Sequence, residues 1–205
     1  MNKANFLHRI RDALDHNEFT VPTQPPAPYS APPQPWNRDD LVRLFKERNE
    51  AVLGRVQIVA NLEEARSQLT TMLENVQTYC RTSHAILDEI NLEGITHHLE
   101  TAGPADAAVG ISGAEFAVAT TGTVVLSSAH GRLVTLLPFH HIVVLSASQI
   151  LPDINDLYDR LGNLEVLPSA FGMHSGPSKS ADIEQTMALG VHGPGKVDII
   201  VILEG

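Results

Sequence analysis

Cysteine is nearly absent from this chain: Cys80 is the only one among 205 residues. A single thiol excludes an intrachain disulfide, and it cannot hold an iron–sulfur cluster, which normally takes four thiolates. No electropositive setting for a redox nucleophile is evident around it, so Cys80 reads as a buried structural thiol. Long apolar runs are missing as well. The longest aliphatic stretches, such as Ile199 to Leu203, are far too short to cross a bilayer. Arg9, Arg11 and Asp12 interrupt any apolar stretch that a signal peptide would need. A cytoplasmic protein without membrane insertion is the expectation.

Positive charge is scarce, and unevenly so. The net charge is −10, yet residues 1–60 hold eight Lys/Arg against seven Asp/Glu, whereas residues 61–205 hold six against seventeen. Between Arg81 and Arg132 there is no Lys or Arg at all, and beyond them only Arg160, Lys179 and Lys196 remain. Phosphate contacts need clustered cations, so the acidic body argues against nucleic acid as a partner. For the same reason each cation in the body gains interest.

What is present suffices for one domain with an appendage: 43% of residues are hydrophobic and 19% charged. Residues 3–15 place Phe6, Leu7, Ile10 and Leu14 on one helical face. From Val21 to Pro35 the chain carries seven prolines, which exclude helix and favour an extended tether. Residues 1–37 therefore read as an amphipathic helix and proline-rich linker, and residues 38–205 as an α/β domain. Within it, helices are predicted near Arg38–Val52, Leu62–Val76, Ala85–Ile90 and Asp153–Leu161. Strands are predicted near Val56–Ala60, Thr78–Arg81, Ala107–Ile111, Glu115–Ala119, Thr123–Ser127, Leu133–Leu137, His141–Ser146 and Val197–Leu203. Near-continuous aliphatic strands alternating with amphipathic helices predict a parallel-rich mixed sheet flanked by helices.

Three glycine-punctuated segments could carry chemistry. In Gly110–Ser128 (GISGAEFAVATTGTVVLSS), glycine permits close backbone approach and the Thr120–Thr123 turn offers hydroxyls and amides to an anion, unless those threonines merely cap a hairpin. In His130–Leu145 (HGRLVTLLPFHHIVVL), Arg132 offers a planar fork for a carboxylate or phosphate. Pro138 is expected to break two strands there, leaving Phe139, His140 and His141 at a junction. One histidine could be a core residue, or a base. The third segment, His174–Ile200, crowds Ser175, Ser178, Lys179, Asp182, Glu184 and His192 together, with a Gly193-Pro194-Gly195 turn before the last strand. A Ser–His–Asp triad can be composed from Ser175 or Ser178, His192 and Asp182, but no Gly-x-Ser-x-Gly elbow accompanies it. His97-His98 and His140-His141 are adjacent pairs, and no local metal-binding spacing occurs, so no metal site is expected.

Gly110–Thr123, Gly131–Pro138 (GRLVTLLP), Ser175–Glu184 (SGPSKSADIE) and Leu189–Pro194 (LGVHGP) resemble the signature blocks of the LutC/YkgG family of lactate utilization proteins, also called LUD-domain proteins. The resemblance spans residue 40 to the end, and the leading helix is also similar to that of the family. It implies an α/β fold like that of the NagB/RpiA/CoA-transferase group, with small anions bound at loops beyond strand ends. It also implies a role in oxidising L-lactate to pyruvate beside iron–sulfur partner proteins, which would carry the clusters while this chain holds no cofactor. Two departures stand out. Thr120 replaces the glutamate that many relatives carry before Thr-Gly-Thr, and Lys179 replaces an arginine, keeping charge but losing the fork. On this reading Arg132 and Lys179 would contact a carboxylate. Gly113, Thr121, Gly122, Thr123, Ser175, Gly176 and Ser178 would supply donors or close approach. Glu115, Asp182 and His192 would handle protons. A non-catalytic scaffold subunit, or a stand-alone enzyme acting on a sugar phosphate, CoA ester or folate, are the alternatives.

Overall fold

In the computed structural model, which describes residues 3–15, 36–181 and 187–204, the chain divides into two units, residues 1–35 and 36–205. The first contains helix α1 (Lys3–Asp15), on which Phe6 and Leu7 are exposed. The proline-rich residues 21–35 lie outside the described part.

The second unit opens with α2 (Arg38–Ala51). Asn37 caps it by accepting the Asp40 N–H, and Asp39 and Asp40 occupy the first turn, where the helix dipole favours anions. There follow β1 (Arg55–Val59), α3 (Leu62–Leu73), β2 (Thr78–Arg81), α4 (Ala85–Glu89), α5 (Leu92–Thr96), β3 (Glu100–Thr101) and β4 (Val109–Gly113). Next come β5 (Phe116–Val118), β6 (Thr123–Ser127), a 3₁₀ turn at Arg132–Thr135, β7 (His140–Ser146), β8 (Ile150–Leu151) and α6 (Ile154–Gly162). The chain then runs through β9 (Phe171–His174), β10 (Lys179–Ala181), β11 (Met187–Leu189) and β12 (Lys196–Ile202).

Six strands in the order β1-β12-β7-β4-β2-β3 form a wholly parallel sheet. Ile142, Val143, Val144 and Leu145 of β7 and Ile199 to Val201 of β12 are completely buried. Both faces of these strands are covered, and their sequence accordingly lacks polar alternation. On one face α3, α4 and α5 pack through Leu69, Leu73, Leu87 and Leu92. On the other, α2 and a four-stranded sheet, β8-β5-β6-β9, bring Phe45, Val124 and Leu126 against Val143, Leu145 and Ile199. The architecture is the parallel-rich α/β class read from the sequence.

One expected strand is absent. Leu133–Leu137 lies instead in and beyond the 3₁₀ turn. Gly131, at φ 108°, turns the chain away from the sheet, and Thr135 Oγ1 donates to the Arg132 carbonyl. Pro138 thus follows a turn and precedes β7, rather than dividing two strands. Several short elements were not foreseen: α5, β3, β8, β9 and the β10–β11 hairpin each carry too few residues for a period to register.

Polar groups pin the sheet at the entry of its strands. The carboxylate of Asp198, 3% exposed, accepts from His140 at 2.6 Å and from Arg55 through Nε at 2.9 Å and Nη2 at 3.1 Å, with Lys196 Nζ at 3.4 Å. Arg55, His140 and Lys196 each begin a strand, so one ionised group aligns β1, β7 and β12. A buried carboxylate tolerates desolvation only with partners of this kind. At the C-terminal end of α2, Gly122 and Gly176 adopt positive φ, 61° and 90°. A Cβ on Gly122 would fall 2.3 Å from Asn49 N, and one on Gly176 2.8 Å from the Val52 carbonyl. The buried Asn49 side chain donates to the Gly122 carbonyl at 2.7 Å. Gly122→Ala, strained in φ and in contact, should lower the unfolding free energy by roughly 2–4 kcal/mol. The measurement is a urea midpoint shifted down with unchanged slope.

His141 is the second buried polar element. Its Nε2 meets Ser112 Oγ at 2.8 Å, and burial, with His174 and His140 adding to it, brings its pKa down to about 3. The imidazole is neutral in the fold but takes a proton in the unfolded chain below about pH 6.5. Its contribution is therefore complete above that pH and declines toward pH 3, by on the order of 1 kcal/mol per pH unit. Urea midpoints of His141→Gln, taken at pH values across this window, should show a shallower pH slope than the parent. Parallel slopes would contradict the assignment.

Candidate functional site

β4 reads Val-Gly-Ile-Ser-Gly, and all five residues are buried. Its small residues admit neighbours that larger ones would exclude. A Cβ on Gly110 would come 2.2 Å from the Val134 carbonyl, so the turn bearing Arg132 can lie on the strand. Ser112 takes the His141 ring. A Cβ on Gly113 would meet the His84 ring at 2.3 Å. Three separate pieces of chain thus converge on one strand.

Between β6, β9 and the turn that bears Arg132 there is a cavity of about 210 Å³, lined by Arg132, Thr135, His174, Ser127, Ser128 and Phe171 among others. Arg132 is exposed and has no carboxylate partner among the described residues, whereas Arg43, Lys46, Arg55, Arg81 and Lys196 each have one. Burial holds the His174 pKa below its ordinary value, so this ring stands neutral at pH 7, and its centroid lies 6.3 Å from that of His141. A fixed cation, a neutral imidazole and several hydroxyls in one cavity can take a small hydroxy acid. A guanidinium is suited to a carboxylate, and a neutral imidazole to a hydroxyl. His174 was read only as the start of the third segment. What marks it is its position as the last residue of a strand, directly before Ser175.

A second cluster adjoins the first, with Ser127 and Phe171 in both walls. His130 Nε2 lies 2.9 Å from Glu115 Oε1, and His84 Nε2 lies 4.0 Å from the same oxygen. His84 and Glu115 stand three and two positions beyond the ends of β2 and β4, at the carboxyl edge of the parallel sheet where open α/β folds bind ligands, and His130 stands three positions beyond the end of β6 in the smaller sheet. Of the three, sequence reasoning singled out Glu115 alone. Metal-ligand spacing was sought locally, and these donors come from distant stretches of chain.

The remaining candidates divide. Thr121 Oγ1, Thr123 Oγ1 and Ser175 Oγ form a chain of hydroxyls with separations of 2.8 and 2.5 Å. Gly122 and Gly176 serve the contact with α2, and the Gly122 N–H donates to the Ala119 carbonyl, so it offers no free donor. Ser178 donates its N–H to Pro194 O and accepts the N–H of His192 at Oγ. Ser178 and His192 are thus brought together, but around the 190–195 loop and not through any described contact with Arg132. Lys179 is exposed at the start of β10. Asp182 lies outside the described residues.

A family model described as the LUD domain matches residues 96–202. The lactate utilization protein C of Halalkalibacterium halodurans is 30% identical over an alignment covering 98% of this chain and 97% of that protein. The Escherichia coli protein YkgG, uncharacterized by name, is 40% identical over 102 residues, 47% of this chain and 44% of its own. Among solved structures, a DUF162 family protein from Deinococcus radiodurans superposes with a TM-score of 0.59 at 18% identity, covering 82% of this chain and 99% of that one, and shares its fold. A family model matched across half of the sequence and a relative aligned along nearly all of it place the chain in the LUD-domain family.

Proposed function

We propose that this chain is a cytoplasmic subunit of an L-lactate utilization system, holding the small carboxylate while iron–sulfur partner proteins carry the electrons of its oxidation to pyruvate. Two things support the reading. Relatives aligned along nearly the whole chain bear the name lactate utilization protein C. The chain's one thiol, Cys80, is buried and its pKa is pushed up to about 11. That leaves clusters to other subunits.

The observation that carries the proposal is the unpaired Arg132 sharing a cavity with the neutral His174. A charge-assisted contact of about 1.5–3 kcal/mol corresponds to roughly 10–150-fold in affinity. Titration of L-lactate into the purified chain should show Arg132→Ala weakening binding by that factor. The variant should also lose lactate-dependent growth at an unchanged melting temperature. Binding and growth equal to the parent's would overturn the reading.

A scaffold role is favoured by the packing of Gly122 and Gly176 against the end of α2, a contact made within the fold itself. In that case Arg132→Ala would behave as the parent does, and omitting the chain from a reconstituted mixture of partners would slow lactate-dependent acceptor reduction through lost assembly.

A further inference from the structure

His130 faces a different partner through each ring nitrogen. Nδ1 lies 3.1 Å from the Ser83 carbonyl oxygen. A carbonyl only accepts, so Nδ1 carries a hydrogen. Nε2 meets Glu115 Oε1 at 2.9 Å. That contact takes a positive centre between the two atoms, either the second ring proton of an imidazolium or a metal ion held by the lone pair of the neutral ring. Among the described residues no Lys or Arg pairs with Glu115, whose ion-pair partners are His130 and His84.

The surroundings are built for the cluster. The two imidazoles stand edge to face with centroids 5.0 Å apart, and the donor atoms of all three residues lie within 4.8 Å of one another. Gly113 leaves room for the His84 ring, as a Cβ there would come within 2.3 Å of it. The Ser83 carbonyl orients His130 as outer partners orient metal-bound imidazoles. Zinc bonds of about 2.0–2.2 Å in tetrahedral arrangement set ligand atoms roughly 3.4 Å apart. The observed 2.9 and 4.0 Å fall on either side of that spacing.

We propose that His84, Glu115 and His130 bind one divalent transition-metal ion of zinc type. Two imidazole nitrogens and a carboxylate oxygen fill three positions. A fourth opens on a cavity of about 240 Å³ that Glu115 and His130 line with Phe116, Leu164 and Val166. Three protein ligands with an open position is the composition of catalytic rather than structural zinc sites. On binding, the ring hydrogen of His84 moves to Nδ1, and the long 3.4 Å contact from the Ile86 N–H is given up. The site goes beyond the lactate reading and does not rest on it.

The test uses the full-length chain, stripped with chelator and titrated calorimetrically with Zn²⁺ alone. One ion per chain is expected. Glu115→Gln and His130→Gln should each weaken binding by about 100-fold or more, beyond what loss of an outer partner costs. A variant carrying both His97→Ala and His98→Ala, which alters an exposed histidine pair, should bind as the parent does. Absence of stoichiometric binding overturns the proposal, as does binding that survives Glu115→Gln and His130→Gln but is lost with the exposed pair. Pulsed electron paramagnetic resonance of Cu²⁺ on the parent needs no variant. Two coordinated imidazoles support the site, and fewer than two refute it.

Discussion

The turn that bears Arg132, the buried His141 and the ring of His84 all lie against β4, and they can do so because three of that strand's five residues are glycine or serine. Glycine in a strand interior costs roughly 0.5–1 kcal/mol and leaves no side chain to bury. Val109 and Ile111 supply apolar burial on the helix-covered face, and β2 and β7 hold the strand by pairing on both edges. With its backbone secured in this way, β4 can be thin where thinness is needed. Gly110 and Ser112 point to one side and receive the 3₁₀ turn and His141, while Gly113 points to the other and receives His84. A bulkier residue at any of the three would add hydrophobic contact and push a functional element away from the sheet.

Charge is distributed with similar economy. The body is acidic and holds few cations, some of them engaged in ion pairs. Asp198 draws in Arg55, His140 and Lys196, and Arg81 bridges Asp88 and Glu93. Arg132 is spared this pairing and borders a cavity whose nearest titratable neighbour, His174, is kept neutral by burial. A lone cation next to uncharged donors attracts an anion without an internal carboxylate competing for it. The same economy makes Glu115 conspicuous, since the carboxylate has only imidazoles for company.

Much of this was legible in the sequence, and what was not shares a cause. The aliphatic runs of β7 and β12 revealed a sheet buried on both faces, and the helices expected near Arg38–Val52 and Asp153–Leu161 are α2 and α6. Arg132 and Glu115 stood out through the scarcity of charge and the glycines beside them. Leu133–Leu137 was read as a strand because its composition is apolar. Its backbone is decided instead by Gly131 and by the absence of a side chain at Gly110, twenty-one residues earlier. His84 and His174 escaped notice for a related reason: each gains meaning only from a partner distant in the chain. Gly122 and Gly176 were read as positions of close backbone approach, and the backbone they approach is the end of α2. Composition reports that a backbone must come close to something; it does not say to what.

The two clusters are less independent than their separate walls suggest. Ser127 Oγ accepts the Ala129 N–H and so starts the turn that carries both His130 and Arg132. Between those residues lies Gly131 alone, and its φ of 108° reverses the course that a right-handed turn would take. His130 is thereby delivered to the cavity of Glu115, and Arg132 to the cavity of His174. A residue with a side chain would strain that conformation, and relaxing it would turn one of the two groups out of place. Ser127 and Phe171 also stand in both walls, so the two cavities share lining as well as the turn between them. Two cavities of different lining, one bordered by a guanidinium and the other by a carboxylate and an imidazole, share a single turn of backbone.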